Sequence, residues 1–329
     1  MDFVVVSGFL GLTVTVILIT TVTSVFHPVY SPAFVLVLCA MFHVFRYQPV
    51  PSEIAQKVLR PNGSYSVIAH RGAGFDAPEN TLAAIRKAAE NNATGVELDI
   101  EFTSDGIPIL MHDRTVDRTT DGTGSLDHLT FEEVRKLNPA AKHRLHEKFP
   151  GEKIPTLKEA ILEILKTDMT IFFDVKGHAV QASVTLKELY KEFPELYNRS
   201  IVCSFEPLVI FKMRQADQKV VTALTHRPWS LSYRGNGKPK FDGYKQYLYM
   251  MLDIILDWSH HAFLWKLLGV SAFLMQKNFV SMDYMRFWAE RGVEVIAWTV
   301  NYTDEKRYFE HILQCIYITD SLTEHSSPP

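Results

Sequence analysis

IAHRGAGFDAPENTLAAIRKA, residues 68–88, decides how the rest of the chain is read. A short apolar strand runs straight into His70, Arg71 and Gly72, and Pro78-Glu79-Asn80-Thr81 then leads into an amphipathic helix. An imidazole beside a guanidinium at a strand end, with a small polar cluster at the next helix start, suits a site that handles phosphate.

The unit recurs. Strands are expected at VIAH (67–70), GVELDIE (95–101), IPILMH (107–112), TIFFDVK (170–176), IVCSF (201–205), VVTAL (220–224), FVS (279–281), VEVIAWTV (293–300) and CIYIT (315–319). Helices are expected at 79–91, 181–192, 207–216, 283–291 and 304–313, with FEEVRKL and TLKEAILEIL between the third and fourth strands. Alternating strands and helices with short connections make a parallel sheet covered by helices. A (β/α)8 TIM barrel of about 250 residues fits 61–329. Eight strands close such a barrel, so one of the candidates is an extra, and FVS is the weakest. A doubly wound open sheet would want a glycine-rich dinucleotide fingerprint, which is missing.

In a barrel the chemistry sits at the carboxyl ends of the strands, and the polar residues of this chain fall there. Side chains alternate along a strand, so Glu97, Asp99 and Glu101 share one face and Leu98 and Ile100 the other. Carboxylates two residues apart, about 6.6 Å along a strand, repel unless neutralised. A divalent cation does this, and oxygen-only ligands favour Mg²⁺ or Ca²⁺ over zinc; pairing with lysines is the competing reading. Asp174 and Lys176 share a face in the same way. Asp174 is a natural third ligand and Lys176 a steadying charge for phosphate, against a plain buried ion pair. His112 follows its strand as His70 does, so two imidazoles that titrate near neutral pH flank the carboxylates. Arg71 offers a bidentate fork to a phosphate.

The blocks HRG (70–72), ENT (79–81), GVELDIE (95–101), DGIPILMHD (105–113), DRTTDGTG (117–124), FDVK (173–176), CSF (203–205), AWTVN (297–301) and ITD (318–320) resemble, in order and spacing, the glycerophosphodiester phosphodiesterase family. The full pattern, with HRPWSL at 226–231, is most similar to the family's membrane-bound animal branch. The resemblance implies a (β/α)8 barrel of the PI-phosphodiesterase-like kind. It implies hydrolysis of glycerophosphodiesters to glycerol 3-phosphate and an alcohol, with His70 and His112 as the acid/base pair. Arg71 is implied as a phosphate ligand, and Glu97, Asp99 and Asp174 as holders of one divalent cation, Mg²⁺ ahead of Ca²⁺. Glu79, Asn80 and Trp298 would support these groups. Much of the family carries Glu where this chain has the shorter Asp174.

The termini and insertion set the context. Residues 3–26 carry no charge over 24 positions, enough for a hydrocarbon core that takes about 20 residues. A second apolar run, 33–45, is too short to span. We therefore read 1–46 as a membrane anchor, 47–64 as a linker and 65–329 as the catalytic domain, with an insertion at 225–278. The insertion is rich in aromatics, Leu and Met but interrupted by Asp253, Asp257, His260, His261 and Lys266. It is read as amphipathic helices that lie on a membrane or cap the site, with a plain helical excursion as the alternative. Four sequons occur, of which Asn198, in a helix-to-strand connection, is the candidate glycosylation site. These features and the resemblance point to an integral membrane protein with a lumenal or extracellular catalytic domain. A net charge of −3 gives no basic excess for nucleic acid. Cys39, Cys203 and Cys315 form no disulfide framework. The expected partners are a glycerophosphodiester or lysophospholipid substrate and membrane lipid. The alternatives to a glycerophosphodiesterase are a lysophospholipase D, a phospholipase D of the toxin type, and a non-catalytic membrane adaptor.

Overall fold

A computed structural model of the chain describes residues 30–323. Its sheet has nine strands: β1 Val67–His70, β2 Gly95–Phe102, β3 Pro108–Leu110, β4 Thr170–Val175, β5 Ser200–Ser204, β6 Val221–His226, β7 Ala272–Gln276, β8 Glu294–Trp298 and β9 Ile316–Thr319. Their order is β1-β9-β8-β7-β6-β5-β4-β2-β3, and β1 also pairs with β2. That pairing closes eight strands into a barrel. The ninth, β3, pairs antiparallel with β2 through Ile100↔Leu110 and Phe102↔Pro108.

Two expectations are corrected here. The strand outside the barrel is PIL, Pro108–Leu110, rather than FVS, of which Phe279 ends a short 3-10 turn, Lys277–Phe279, and Val280 and Ser281 belong to no strand. The sixth barrel strand, β7, AFLMQ, lies inside the stretch assigned to the insertion. Four apolar residues closed by Gln276, following a Leu- and Met-rich helix, have no period of their own to separate them from that helix.

β2 shows how the sequence builds the layers. Val96, Leu98, Ile100 and Phe102 pack with Leu157, Ile161, Leu186 and Met213 between the sheet and the helices that cover it. With Tyr30–Phe45 as α1 and Ser52–Leu59 as α2, those helices include α3 Leu82–Glu90, α4 Leu157–Ile164, α5 Ala179–Glu192 and α6 Pro207–Ala216. The alternate positions Glu97, Asp99 and Glu101 are buried as well, so they lie on the barrel side. Deeper in the barrel the inward positions are apolar, with Ile68, Phe172, Ile201, Val221, Leu274, Ile296 and Ile316 in one cluster. Fully burying each such side chain contributes about 2 kcal/mol.

The segment 47–64, read as a linker, contains a helix, Ser52–Leu59. Its Ala55, Val58 and Leu59 join the barrel's inner cluster, and Ser66 Oγ donates to the Leu59 carbonyl at 2.7 Å. It is part of the core rather than a spacer.

The described residues divide into two compact units, 50–225 with 270–323, and 30–49 with 226–269. The second unit contains helix Tyr30–Phe45 and helix Tyr244–Ser259, and the Tyr47 amide donates to the Leu267 carbonyl at 2.8 Å. Among the described residues no helix is long and apolar enough to cross a membrane. The segment expected at 33–45 falls within Tyr30–Phe45, 16 residues long. The expected span at 3–26 lies outside the described residues.

Candidate active site

β1 ends on His70, and the chain then turns back sharply. Arg71, Gly72 and Ala73 all have positive φ, 55°, 82° and 66°, a conformation that costs a residue with a side chain about 1 kcal/mol or more. The turn is pinned by its bonds: the Gly72 amide donates to the Ala69 carbonyl at 3.1 Å and the Ala73 amide to the His70 carbonyl at 2.9 Å. Gly72 is required on space as well as on φ, because a Cβ there would lie 2.6 Å from the Ala84 Cβ. Thr81 caps α3 by accepting from the Ala84 amide at 3.2 Å.

Glu97, Asp99 and Asp174 come together as the sequence leads one to expect, because β2 and β4 pair in parallel with Asp99 opposite Asp174. Each offers an oxygen within 4.8 Å of the others, and all three are buried. Lys176 Nζ lies 2.8 Å from Asp99 Oδ1 and also donates to Asp174. Arg71 Nε lies 3.2 Å from Asp99 Oδ2. Asn80 grips Asp99 twice: Nδ2 donates to Oδ2 at 2.8 Å and Oδ1 accepts the Asp99 amide at 3.2 Å. The Arg71 amide donates to Glu97 Oε2 at 2.9 Å.

Three carboxylates here face two cations, and one of these, Arg71, is shared with Glu79 at 2.9 Å. Burial and the Asp99 charge push Glu97 well above the ordinary carboxylate range. Burial pulls Asp99 the same way, but Lys176 and Arg71 outweigh it and hold Asp99 low. Asp174 Oδ1 is buried and accepts no hydrogen bond. An all-oxygen donor set with surplus negative charge and an unpaired buried oxygen suits a hard divalent cation. Lys176 and Arg71 are thus the cluster's counter-charges, which the sequence had offered as the competing role for the lysine. Glu101 stands apart from the cluster: it lies 3.6 Å from His178 Nε2, and burial raises its pKa to about 7.

Each histidine is held by an aspartate. His70 Nδ1 lies 2.5 Å from Asp320 Oδ1, with Nε2 3.9 Å from Glu97 Oε2. Burial alone would lower the His70 pKa, but Glu97 and Asp320 outweigh it and raise it. Asp320 is in turn fixed by Asn301 Nδ2 at 2.5 Å. Burial, the largest single influence, would raise the Asp320 pKa, but His70 and the Asn301 hydrogen bond outweigh it and depress it to about 2. His112 Nδ1 lies 2.6 Å from Asp113 Oδ1. Asp113 also accepts from Arg118 Nε at 2.5 Å, and Arg118 forks onto both Glu79 oxygens at 2.7 and 2.9 Å. A chain of charged contacts therefore runs from His112 through Asp113, Arg118 and Glu79 to Arg71.

Asp113, Arg118 and Asp320 were not singled out from the sequence, and Asn301 only as one of the four sequons, although all four residues lie in the quoted blocks. A cleft of about 590 Å³ opens beside His70 and Arg71, lined further by Phe75, Glu79, Tyr302 and Asp320. Trp298 ends β8 and packs edge-on against Phe205, ring centroids 5.5 Å apart. Asn198 is exposed and precedes β5, at the opposite end of the strands from the cluster.

The family model for glycerophosphoryl diester phosphodiesterases matches residues 70–323. The chain is 63% identical to glycerophosphodiester phosphodiesterase 1 of Mus musculus and 62% identical to that of Homo sapiens, over 292 residues and 88% of each chain. Among solved structures, an Oleispira antarctica phosphodiesterase in complex with sn-glycerol-3-phosphate matches with a TM-score of 0.60 at 22% identity, covering 79% of this chain and 94% of that one. That likeness is one of fold. The chain belongs to the glycerophosphoryl diester phosphodiesterase family and is an enzyme, a phosphoric diester hydrolase.

Proposed function

We propose that the chain cleaves glycerophosphodiesters of the glycerophosphoinositol, glycerophosphocholine or glycerophosphoethanolamine kind to glycerol 3-phosphate and the free alcohol, using a divalent cation and two histidines. The observation that carries this is the pair of imidazoles, each with Nδ1 on an aspartate, beside a buried carboxylate cluster. An aspartate at Nδ1 fixes the tautomer and leaves Nε2 as the working nitrogen. One of His70 and His112 takes the proton of the attacking hydroxyl, and the other protonates the leaving alkoxide.

Glu97, Asp99 and Asp174 would hold the cation, Mg²⁺ ahead of Ca²⁺. Bound there, it would neutralise charge developing on the phosphate and orient the diester. Arg71 and Lys176 bring further positive charge to the same place, and Asn80 and Glu79 hold Asp99 and Arg71 in position. Trp298, edge-on to Phe205, supports the end of β8. The chain is read as membrane-anchored through 3–26, with the catalytic domain lumenal or extracellular. Asn198 is the glycan site, since the Asn301 amide is engaged with Asp320.

The test is release of glycerol 3-phosphate by the detergent-purified full chain from a panel of glycerophosphodiesters and lysophospholipids. It is run with Mg²⁺, with Ca²⁺ and with EDTA, beside Glu97→Ala and His112→Ala. Metal-dependent turnover lost in both variants supports the proposal. Turnover that survives EDTA, or that appears only with lysophospholipids, refutes it.

A further inference from the structure

Helix Tyr244–Ser259 is amphipathic the wrong way round for water. Its buried residues are Gln246, Asp253 and Ser259. Asp253 accepts from the Leu231 and Ser232 amides at 2.8 Å each and from Ser232 Oγ at 2.5 Å. One turn further on, Asp257 Oδ1 pairs with His226 Nε2 at 2.9 Å. At about 100° per residue, Gln246, Asp253 and Asp257 share one face. The opposite face carries Tyr244, Tyr247, Leu248, Met251, Leu252 and Ile255, all exposed, with Tyr247 at 74% and Met251 at 52%. A continuous stripe of large apolar side chains is rare on a surface that stays wet. The inward face is held by charged hydrogen bonds that a simple roll of the helix would break.

We propose that this face docks on the surface of a phospholipid bilayer that contains anionic lipid. Two observations choose this occupant. The first is charge: Arg227, Arg234, Lys238, Lys240 and Lys245 stand against the single acidic Asp242 in residues 227–249, within a chain of net charge −3. Lysines and tyrosines at the edge of an apolar helical face are the composition of an interfacial helix. A two-fold pairing with a second copy would instead bring this basic patch against itself. The second is where the chain comes from. The same compact unit contains helix Tyr30–Phe45, whose Leu36, Val37, Met41, Val44 and Phe45 are also exposed. That helix follows directly on the uncharged residues 3–26, which lie outside the described residues. The docking does not depend on whether 3–26 crosses the bilayer, nor on the diesterase reading.

The experiment uses the full chain in phosphatidylcholine–phosphatidylserine vesicles. An environment-sensitive fluorophore is attached at Tyr247→Cys, Met251→Cys or Ile255→Cys on a Cys39→Ala background, Cys203 and Cys315 being buried. Glu188→Cys, on an exposed position of α5, is the control. The three face positions are expected to be quenched several-fold more by brominated acyl chains than by aqueous iodide, and the control the reverse. Replacing Lys238, Lys240 and Lys245 by Gln should remove the dependence on phosphatidylserine. A Leu248→Glu/Met251→Glu variant should make the Ile255→Cys label iodide-accessible while turnover of a soluble glycerophosphodiester persists. Iodide quenching of all three labels on the unaltered face would overturn the proposal. Protection from both quenchers would overturn it too, because protein, either a second copy or residues 3–26, would then cover the face.

Discussion

Arg118 is the residue that the geometry makes most informative to change. Its guanidinium donates three hydrogen bonds to carboxylates, two to Glu79 and one to Asp113, and it touches neither the carboxylate cluster nor either imidazole. Its side chain is 46% exposed, so each bond sits at the weak end of the charged range, about 0.5–1 kcal/mol, and the three sum to about 2 kcal/mol. Arg118→Met leaves Glu79 its bond to Arg71 and leaves Asp113 on His112, so the loss appears as poorer alignment. We expect kcat to fall about tenfold, which is about 1.4 kcal/mol, with KM changed less than threefold and cation affinity unaltered. Arg118→Lys should not rescue, because one ammonium cannot replace a fork that reaches Glu79 and Asp113 together. The assay is initial-rate release of glycerol 3-phosphate at saturating cation, with thermal unfolding of each variant in parallel. If the Met variant keeps more than half of the parent kcat, or the lysine restores it, the relay from Arg71 to His112 has no catalytic weight.

Three further outcomes follow from the same contacts. Asn80→Ala removes both bonds that orient Asp99 and should weaken Mg²⁺ binding about 10- to 100-fold, read by calorimetry on the purified chain; unchanged affinity would remove Asn80 from the site. Asp320→Asn takes away one of the two carboxylates that raise the His70 pKa against burial. The limb of the kcat/KM–pH profile that belongs to His70 should therefore move to lower pH. With both groups intact, the raised His70 pKa stabilises the fold fully below pH 6.5 and loses that effect as pH rises through the folded value. Depressed Asp320 acts the opposite way, its contribution present above pH 3.8 and lost as pH falls through about 2; an unmoved limb would refute the pairing. Gly72→Ala meets both a positive φ of 82° and a Cβ contact at 2.6 Å. It should destabilise by about 2 kcal/mol or more, measured by denaturant unfolding, and a neutral result would mean that the turn relaxes freely.

The parts of this structure legible in the sequence are those written in local periods. Glu97 and Asp99 alternate with Leu98 and Ile100, so the strand, its two faces and the carboxylate cluster could be read together. α6 matches its expected range, 207–216, because Pro207 opens it. β7 could not be separated from the helix before it, since four apolar residues in a row carry neither period 2 nor period 3.6. β3 was visible as a strand, but its antiparallel direction depends on a partner rather than on its own residues. The aspartates behind the histidines were hidden for the same reason. Asp320 lies 250 positions from His70, and nothing in either neighbourhood reports that the closed barrel brings them together. Arg118 reads as one more charged residue in a polar loop until Glu79 and Asp113 are seen on either side of it.

The two histidines are carried by elements of different mechanical standing. His70 ends a strand hydrogen-bonded on both sides, to β2 and β9. His112 follows β3, a three-residue strand that ends the sheet order and has ladder pairing with β2 alone, supplemented by single bonds from the Met111 amide to the Asp99 carbonyl and the Leu110 amide to the Pro155 carbonyl, 3.1 Å each. Local opening follows the least-tethered segment first, so fraying of this hairpin would withdraw His112 while the carboxylate cluster and His70 stay assembled. The enzyme would then keep its capacity to bind a cation and a phosphate while its turnover switches off. Amide exchange at Ile109–His112 faster than at Val67–His70 would be the signature of that half-dismantled state.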